Sequence, residues 1–189
     1  MRRVRQITIY HCGPAVLEML ASFYHVTLYQ DQLVKTGKAA SKLHTHGMTI
    51  DDLALAASKT LPSNLQFWYK HNSTARELAE IVNVHQHPVG VEWQGVFEEE
   101  EDEDSGHYSI VTQISLENNL IIMADPYRRY AGKDRSFPLN FFEERWWDVN
   151  EVINPQTKKK QALKDFHSFF LIVDKQFSFP ERLSMTRGY

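Results

Sequence analysis

An α+β fold is predicted for this chain, with N-terminal helices packed on a C-terminal antiparallel β-sheet. Three observations carry the prediction. Apolar residues recur at helical spacing up to about residue 82. Short β-branched and aromatic runs, separated by turn residues, dominate the second half. A length of 189 residues with 42% hydrophobic content suits one globular domain rather than two.

The elements follow in order. A buried helix begins at or just after Cys12, because Val16, Leu17, Met19, Leu20 and Phe23 share helical spacing and Pro14 fits a first turn. A second short helix covers Gln30 to Lys35 and stops at Gly37. Thr49 with Asp52 three residues later announces a third, through Leu53, Leu55 and Ala56. Ser73 or Thr74 opens another, through Leu78, Ile81 and Val82. Strands are then expected over Val89 to Trp93, His107 to Ile114, Leu120 to Met123 and Phe169 to Val173, with Glu117, Asn118 and Asn119 as a turn. A late helix runs from Pro138 through Phe141, Phe142 and Trp146, and Lys158 to Lys160 read as an exposed turn. The domain is expected over residues 1–174, with 175–189 as a C-terminal tail.

Charge and cysteine content narrow the class. The formal net charge of −3 hides one run, Glu98 to Asp104, of seven consecutive acids. Setting those aside leaves 17 acidic residues against 21 basic ones, so the body of the domain is mildly basic and carries an acidic loop at 98–104. Neither part has the basic patch of a nucleic-acid-binding protein. The longest apolar runs are far short of the roughly 18 to 20 residues that span a bilayer, and Thr8, His11 and Gly13 break the stretch after Arg2, Arg3 and Arg5 where a signal peptide would need continuity. A cytoplasmic setting is expected. Cys12 is the single cysteine, which excludes an internal disulfide and a four-cysteine zinc ribbon. The His-x-His pairs, His44 with His46 and His85 with His87, have no third ligand nearby in sequence, so no metal or other cofactor is expected.

The lone thiol then needs a reading. A thiol is a good nucleophile only as the thiolate, and a helix start is one of the few places where backbone dipoles favour that anion. The dipole contributes about 0.3 to 1 kcal/mol, up to about 2, so an imidazolium is also required. His107 is the best placed, opening a strand just past a loop, and Asp125 ends the next strand 18 residues later. Two antiparallel strands joined by the turn at 117–119 bring those two side chains together as a base and its orienting carboxylate. Gln6, six residues before Cys12, is close enough to share an oxyanion with the Cys12 N–H. Each residue also has a structural reading, a buried thiol, a strand histidine and a turn aspartate; the joint order is what argues for chemistry.

The segment Gln6 to Tyr24, with Cys-Gly-Pro-Ala six residues after the glutamine, resembles the papain-like cysteine peptidases of the bacteriocin-processing, double-glycine leader type. The resemblance continues through Gly47-Met48-Thr49, Pro88-Val89, Gly106-His107-Tyr108, Asp125-Pro126 and Phe141 to Trp147, and covers roughly residues 5 to 150. It implies a papain-like fold, Cys12 as nucleophile, His107 as general base and acid, Asp125 as orienting residue and Gln6 as oxyanion donor; in that family the domain is usually part of an ABC exporter, whereas a free-standing domain is expected here. It also implies a peptide or protein substrate, cut through a thioester intermediate after glycine-rich leader sequences. Three alternatives stay open: a silent papain-like module that binds peptides, an amide or acyl transferase using the same cysteine, and an interaction protein in which Cys12 is merely buried. The acidic loop is a solvated segment, or favours the His107 imidazolium, repels acidic peptides or attracts a basic partner.

Overall fold

The computed structural model describes residues 1–97, 106–153, 156–157 and 159–189. The acidic run at 98–104 and Lys158 lie outside the described residues. In chain order the elements are α1 (Cys12–Phe23), α2 (Gln30–Thr36), α3 (Leu43–His46), α4 (Ile50–Thr60), β1 (Leu65–Lys70), α5 (Ala75–Ala79) continued by a π-helical turn Glu80–Val84, and β2 (Val89–Gln94). Then come β3 (Gly106–Ser115), β4 (Leu120–Ala124), β5 (Asp134–Pro138), α6 (Leu139–Arg145), β6 (Trp147–Ile153), β7 (Lys160–Phe166), β8 (Phe169–Asp174), α7 (Phe179–Arg182) and β9 (Thr186–Arg187).

The fold is α+β, as the periodicity predicts. A seven-stranded sheet runs β5-β4-β3-β2-β8-β1-β9 with every pairing antiparallel, and β6 and β7 form a separate two-stranded hairpin. One core lies between one sheet face and α1, α2 and α4, with Leu17 and Leu20 against Tyr108, Ile110 and Phe170. A second core covers the opposite face, where Leu78, Phe142 and Trp146 meet Trp93, Val111 and Leu171. β8 is buried on both faces, which is why Phe169 to Val173 reads as a continuous apolar run rather than an alternating one. At each such site, burial of a large apolar side chain contributes about 1.5 to 3 kcal/mol.

Local rules account for the helix starts. Thr49 and Asp52 close a reciprocal capping box on α4, and Thr74 and Glu77 close one on α5. Gly47 adopts φ +63, a left-handed conformation that costs a glycine little, and so turns the chain from α3 into α4.

The differences from expectation are five strands, the short helices α3 and α7, and the last turn. β1 sits between α4 and α5, so strands are not confined to the second half; its residues Leu65, Phe67 and Trp68 are buried against both cores. β5 alternates between exposed and half-buried positions, and β6 and β7 form outside the main sheet. The turn between β6 and β7 includes Gln156 and Thr157, while Lys160 already belongs to β7. Residues 179–187 form α7 and β9, and β9 pairs with β1 at the sheet edge.

Candidate active site

Cys12 is the first residue of α1, and the helix start carries no side-chain cap. His11 directs its ring elsewhere, with Nδ1 2.7 Å from the Thr8 hydroxyl. Burial lowers the His11 pKa, and this outweighs the opposing pull of Asp31, so its ring is neutral at pH 7 and does not compete for the thiol as a cation.

The segment that leads into α1 is clamped at both ends. The Gln6 N–H donates to the Pro126 carbonyl at 2.9 Å, tying the segment to the loop after β4. Gln30 of α2 donates to the Arg5 carbonyl at 3.0 Å and accepts from the Ile7 N–H at 3.0 Å. Gln30 is itself held by Glu18 of α1 at 3.0 Å, and Glu18 pairs with Arg2 at 2.5 Å. Gln6 is buried, donates through Nε2 to the Thr8 carbonyl at 2.8 Å, and leaves its Oε1 without a partner. An amide nitrogen carries two hydrogens, so the second N–H of Gln6 is not used by that bond.

His107 and Asp125 meet as antiparallel strands require. The His107 Nε2 lies 2.9 Å from Asp125 Oδ1, with both side chains buried. Their meeting depends on a β-bulge. The register of β3 with β4 shifts between Val111 and Gln113, so Ile110 faces Ala124 and Asp125 falls one step further, opposite Ser109. Were the Gln113–Ile122 register continued through Thr112 without that shift, Asp125 would lie opposite Ile110, on the other side of the pleat from His107.

With Nε2 taken by Asp125, the Cys12 side chain is the other neighbour that bears on the His107 ring and favours its cation. Burial is the strongest influence on His107 and disfavours its cation. The Asp125 carboxylate and the Cys12 side chain outweigh it and raise the His107 pKa to about 10. Asp125 is the counterpart. Burial pushes its carboxyl up, but the His107 charge and the hydrogen bonds from His107, the Tyr127 N–H and Arg135 hold it at about 2. The Tyr127 N–H and Arg135 Nη1 both donate at 2.8 Å. The pair is therefore imidazolium and carboxylate at neutral pH.

Arg135 is the residue that reading the chain misses. It comes from β5, donates also to the Val96 carbonyl at 2.8 Å, and stacks over Tyr130 at 3.7 Å from the ring centroid. A basic residue across the β4 hairpin from Met123 was the available signal, but the β5 strand itself was not anticipated. Phe97 packs edge-on to the His107 ring at 5.1 Å and limits water around it.

No three His, Cys, Asp or Glu side chains among the described residues converge as a metal site requires. His44 packs edge-on against Tyr10, and the buried His87 has its Nε2 2.9 Å from the Tyr24 hydroxyl. No helix among the described residues is long and apolar enough to cross a membrane.

None of the proteins with curated functions matches the sequence. The fold is similar to the crystal structure of the peptidase domain of Streptococcus ComA, a bi-functional ABC transporter involved in a quorum-sensing pathway, with a TM-score of 0.62 at 20% identity over 92% of this chain and 98% of that one. The family model of the Peptidase_C39 like family matches residues 1–153, which include Gln6, Cys12, His107 and Asp125. A thiol at a helix start, a buried imidazolium between that thiol and a carboxylate, and this match over most of the length agree: the chain belongs to the Peptidase_C39-like family.

Proposed function

We propose that the protein is a cysteine peptidase that cleaves a peptide bond through a thioester on Cys12. The observation that supports this most is the buried His107 imidazolium held between the Cys12 side chain and the Asp125 carboxylate, 2.9 Å away. Such a counter-charge is what favours a thiolate in a dry site. Cys12 Sγ attacks the substrate carbonyl carbon, and the resulting oxyanion is held by the Cys12 N–H and the Gln6 amide. As the C–N bond breaks, His107 gives its proton to the leaving amine and the acyl group stays on sulfur. His107 then takes a proton from water, the hydroxide attacks the thioester, and the sulfur leaves as thiolate beside the re-formed imidazolium. Asp125 holds the ring in place and keeps the cation favourable through both halves. The substrate is a peptide or protein cut after a glycine-rich leader, as the family resemblance suggests, and 1–174 acts as the peptidase domain.

Two measurements test the assignment. Iodoacetamide should label Cys12 at pH 6 at a rate that His107→Ala lowers at least tenfold. Equal rates in the two proteins would remove the ion pair from the mechanism. On a quenched fluorescent peptide containing a Gly-Gly site, Gln6→Ala should lower kcat by about 10² to 10³ while leaving the circular dichroism spectrum unchanged. Full activity in that variant would overturn the oxyanion role, and product captured by an added amine in place of water would point to acyl transfer.

A further inference from the structure

A cavity of about 450 Å³ takes no part in the steps above. Its walls come from both layers of the fold: Asp51 and Asp52 at the start of α4, Glu92 of β2, and Asn150 and Asp165 of the β6–β7 hairpin. One buried side chain links its wall to the thiol and imidazole. Tyr108, next in the chain to His107, donates its hydroxyl to Glu92, and its ring lies 3.3 Å from where a Cβ on Gly13, next to Cys12, would stand.

The lining is acidic and one acid is left short of partners. Lys42 is the single lysine on the wall, and it pairs with Asp52 at 2.7 Å. Glu92 is only 1% exposed. Its Oε1 accepts from Tyr108 and from Asn150 Nδ2 at 3.4 Å, while Oε2 has no hydrogen-bond partner. The same Asn150 Nδ2 donates to Asp165 Oδ2 at 3.2 Å, so the two carboxylates flank a single amide. Burial pushes the Glu92 carboxyl up to about 7, and the nearby Asp165 charge adds to that effect. Tyr108, Asn150 and Asp148 pull it the other way without cancelling the rise, and none is a cation. An orphaned oxygen at that depth is expensive unless a donor reaches it, and a charged donor gains most.

We propose that this cavity is a subsite for a basic side chain, lysine or arginine, of the peptide that crosses Cys12, with Glu92 and Asp165 as the groups that recognise it. The inference rests on the peptidase reading. It goes beyond that reading by naming the substrate feature: a cationic residue near the scissile bond. A neutral side chain of equal length fills the same volume but leaves Glu92 Oε2 unpaired, and that is the source of discrimination.

The test uses the full chain and peptidyl chloromethyl ketones ending in glycine. A single arginine, lysine, norleucine or glutamate is placed two, three or four residues before the reactive carbon. At one of these positions arginine or lysine should raise the rate of Cys12 alkylation at least tenfold over norleucine, with glutamate slowest. Glu92→Gln and Asp165→Asn should each cut the basic-to-norleucine ratio at least threefold. Asp165 is half-buried, so its variant gives a second, independent reading of the ratio. Ratios near one at every position, or a preference that both variants retain, overturn the subsite. If iodoacetamide meanwhile labels Cys12 in a His107-dependent way, the peptidase reading survives that loss. A thiol that neither iodoacetamide nor any ketone labels overturns both.

Discussion

Asp125 and Glu92 are both carboxyls buried beside the same strand, β3, and they have opposite fates. Asp125 is 3% exposed and sits at about 2; Glu92 is 1% exposed and sits at about 7. Depth does not separate them. Asp125 receives a cation, His107, a guanidinium, Arg135, and a backbone N–H, Tyr127, so every lone pair that matters meets a donor. Glu92 meets a phenol, one amide and two other acids, and keeps one oxygen unpaired. Burial raises both carboxyls; charge pairing decides which of them stays ionised at neutral pH.

The most severe way to break this contrast is Asp125→Ala. It strands a buried imidazolium and a guanidinium together, and should cost about 3 to 5 kcal/mol in urea unfolding at pH 7. A loss below about 1 kcal/mol would mean that the pair is solvated after all. The pH profile of the wild type sharpens it. Folding lowers the Asp125 pKa from 3.8 to about 2, so its contribution is present above pH 3.8 and disappears as pH falls through 2. Folding raises His107 from 6.5 to about 10, so its contribution is complete below pH 6.5 and disappears as pH rises through 10. Glu92 runs the other way for an acid: its pKa rises from 4.5 to about 7, so stability declines as pH climbs across that window.

Glu92→Gln should abolish that middle decline and leave the acid and alkaline limbs alone. Above pH 7 it should unfold less easily than wild type by on the order of 1 to 3 kcal/mol. A wild-type curve flat from pH 4.5 to 7 would contradict the assignment. The smallest effect is expected from Tyr108→Phe, which removes one donor from Glu92. About 1 kcal/mol should be lost at pH 5, where the acid is protonated, and more at pH 8, where it is not. The difference between those two pH values, measured on one preparation, is the informative quantity.

Much of the fold was legible because local signals and burial agree. The thiol at a helix start, the boxes at Thr49 and Thr74, and the apolar run in β8 are each written within a few residues. β1, β5, β6, β7 and β9 were not, since short strands with half-exposed positions carry little periodicity of their own and gain their stability from neighbours. The same limit hid Arg135: a guanidinium on an unrecognised strand gives no hint of the carboxylate it will meet.

The order of residues along the chain dictated the class of fold and the four candidate groups, Gln6, Cys12, His107 and Asp125, because helix starts, strand alternation and turns are local physics. The contacts that give those groups their chemistry came from packing. The register shift at the β3 bulge sets Asp125 on the side of His107, and the β6–β7 hairpin sets Asp165 beside Glu92 across one amide. Electrostatics inside a protein depends on distances of a few ångströms and on who shares the buried space, and residues 18 or 73 positions apart acquire such distances through long-range folding.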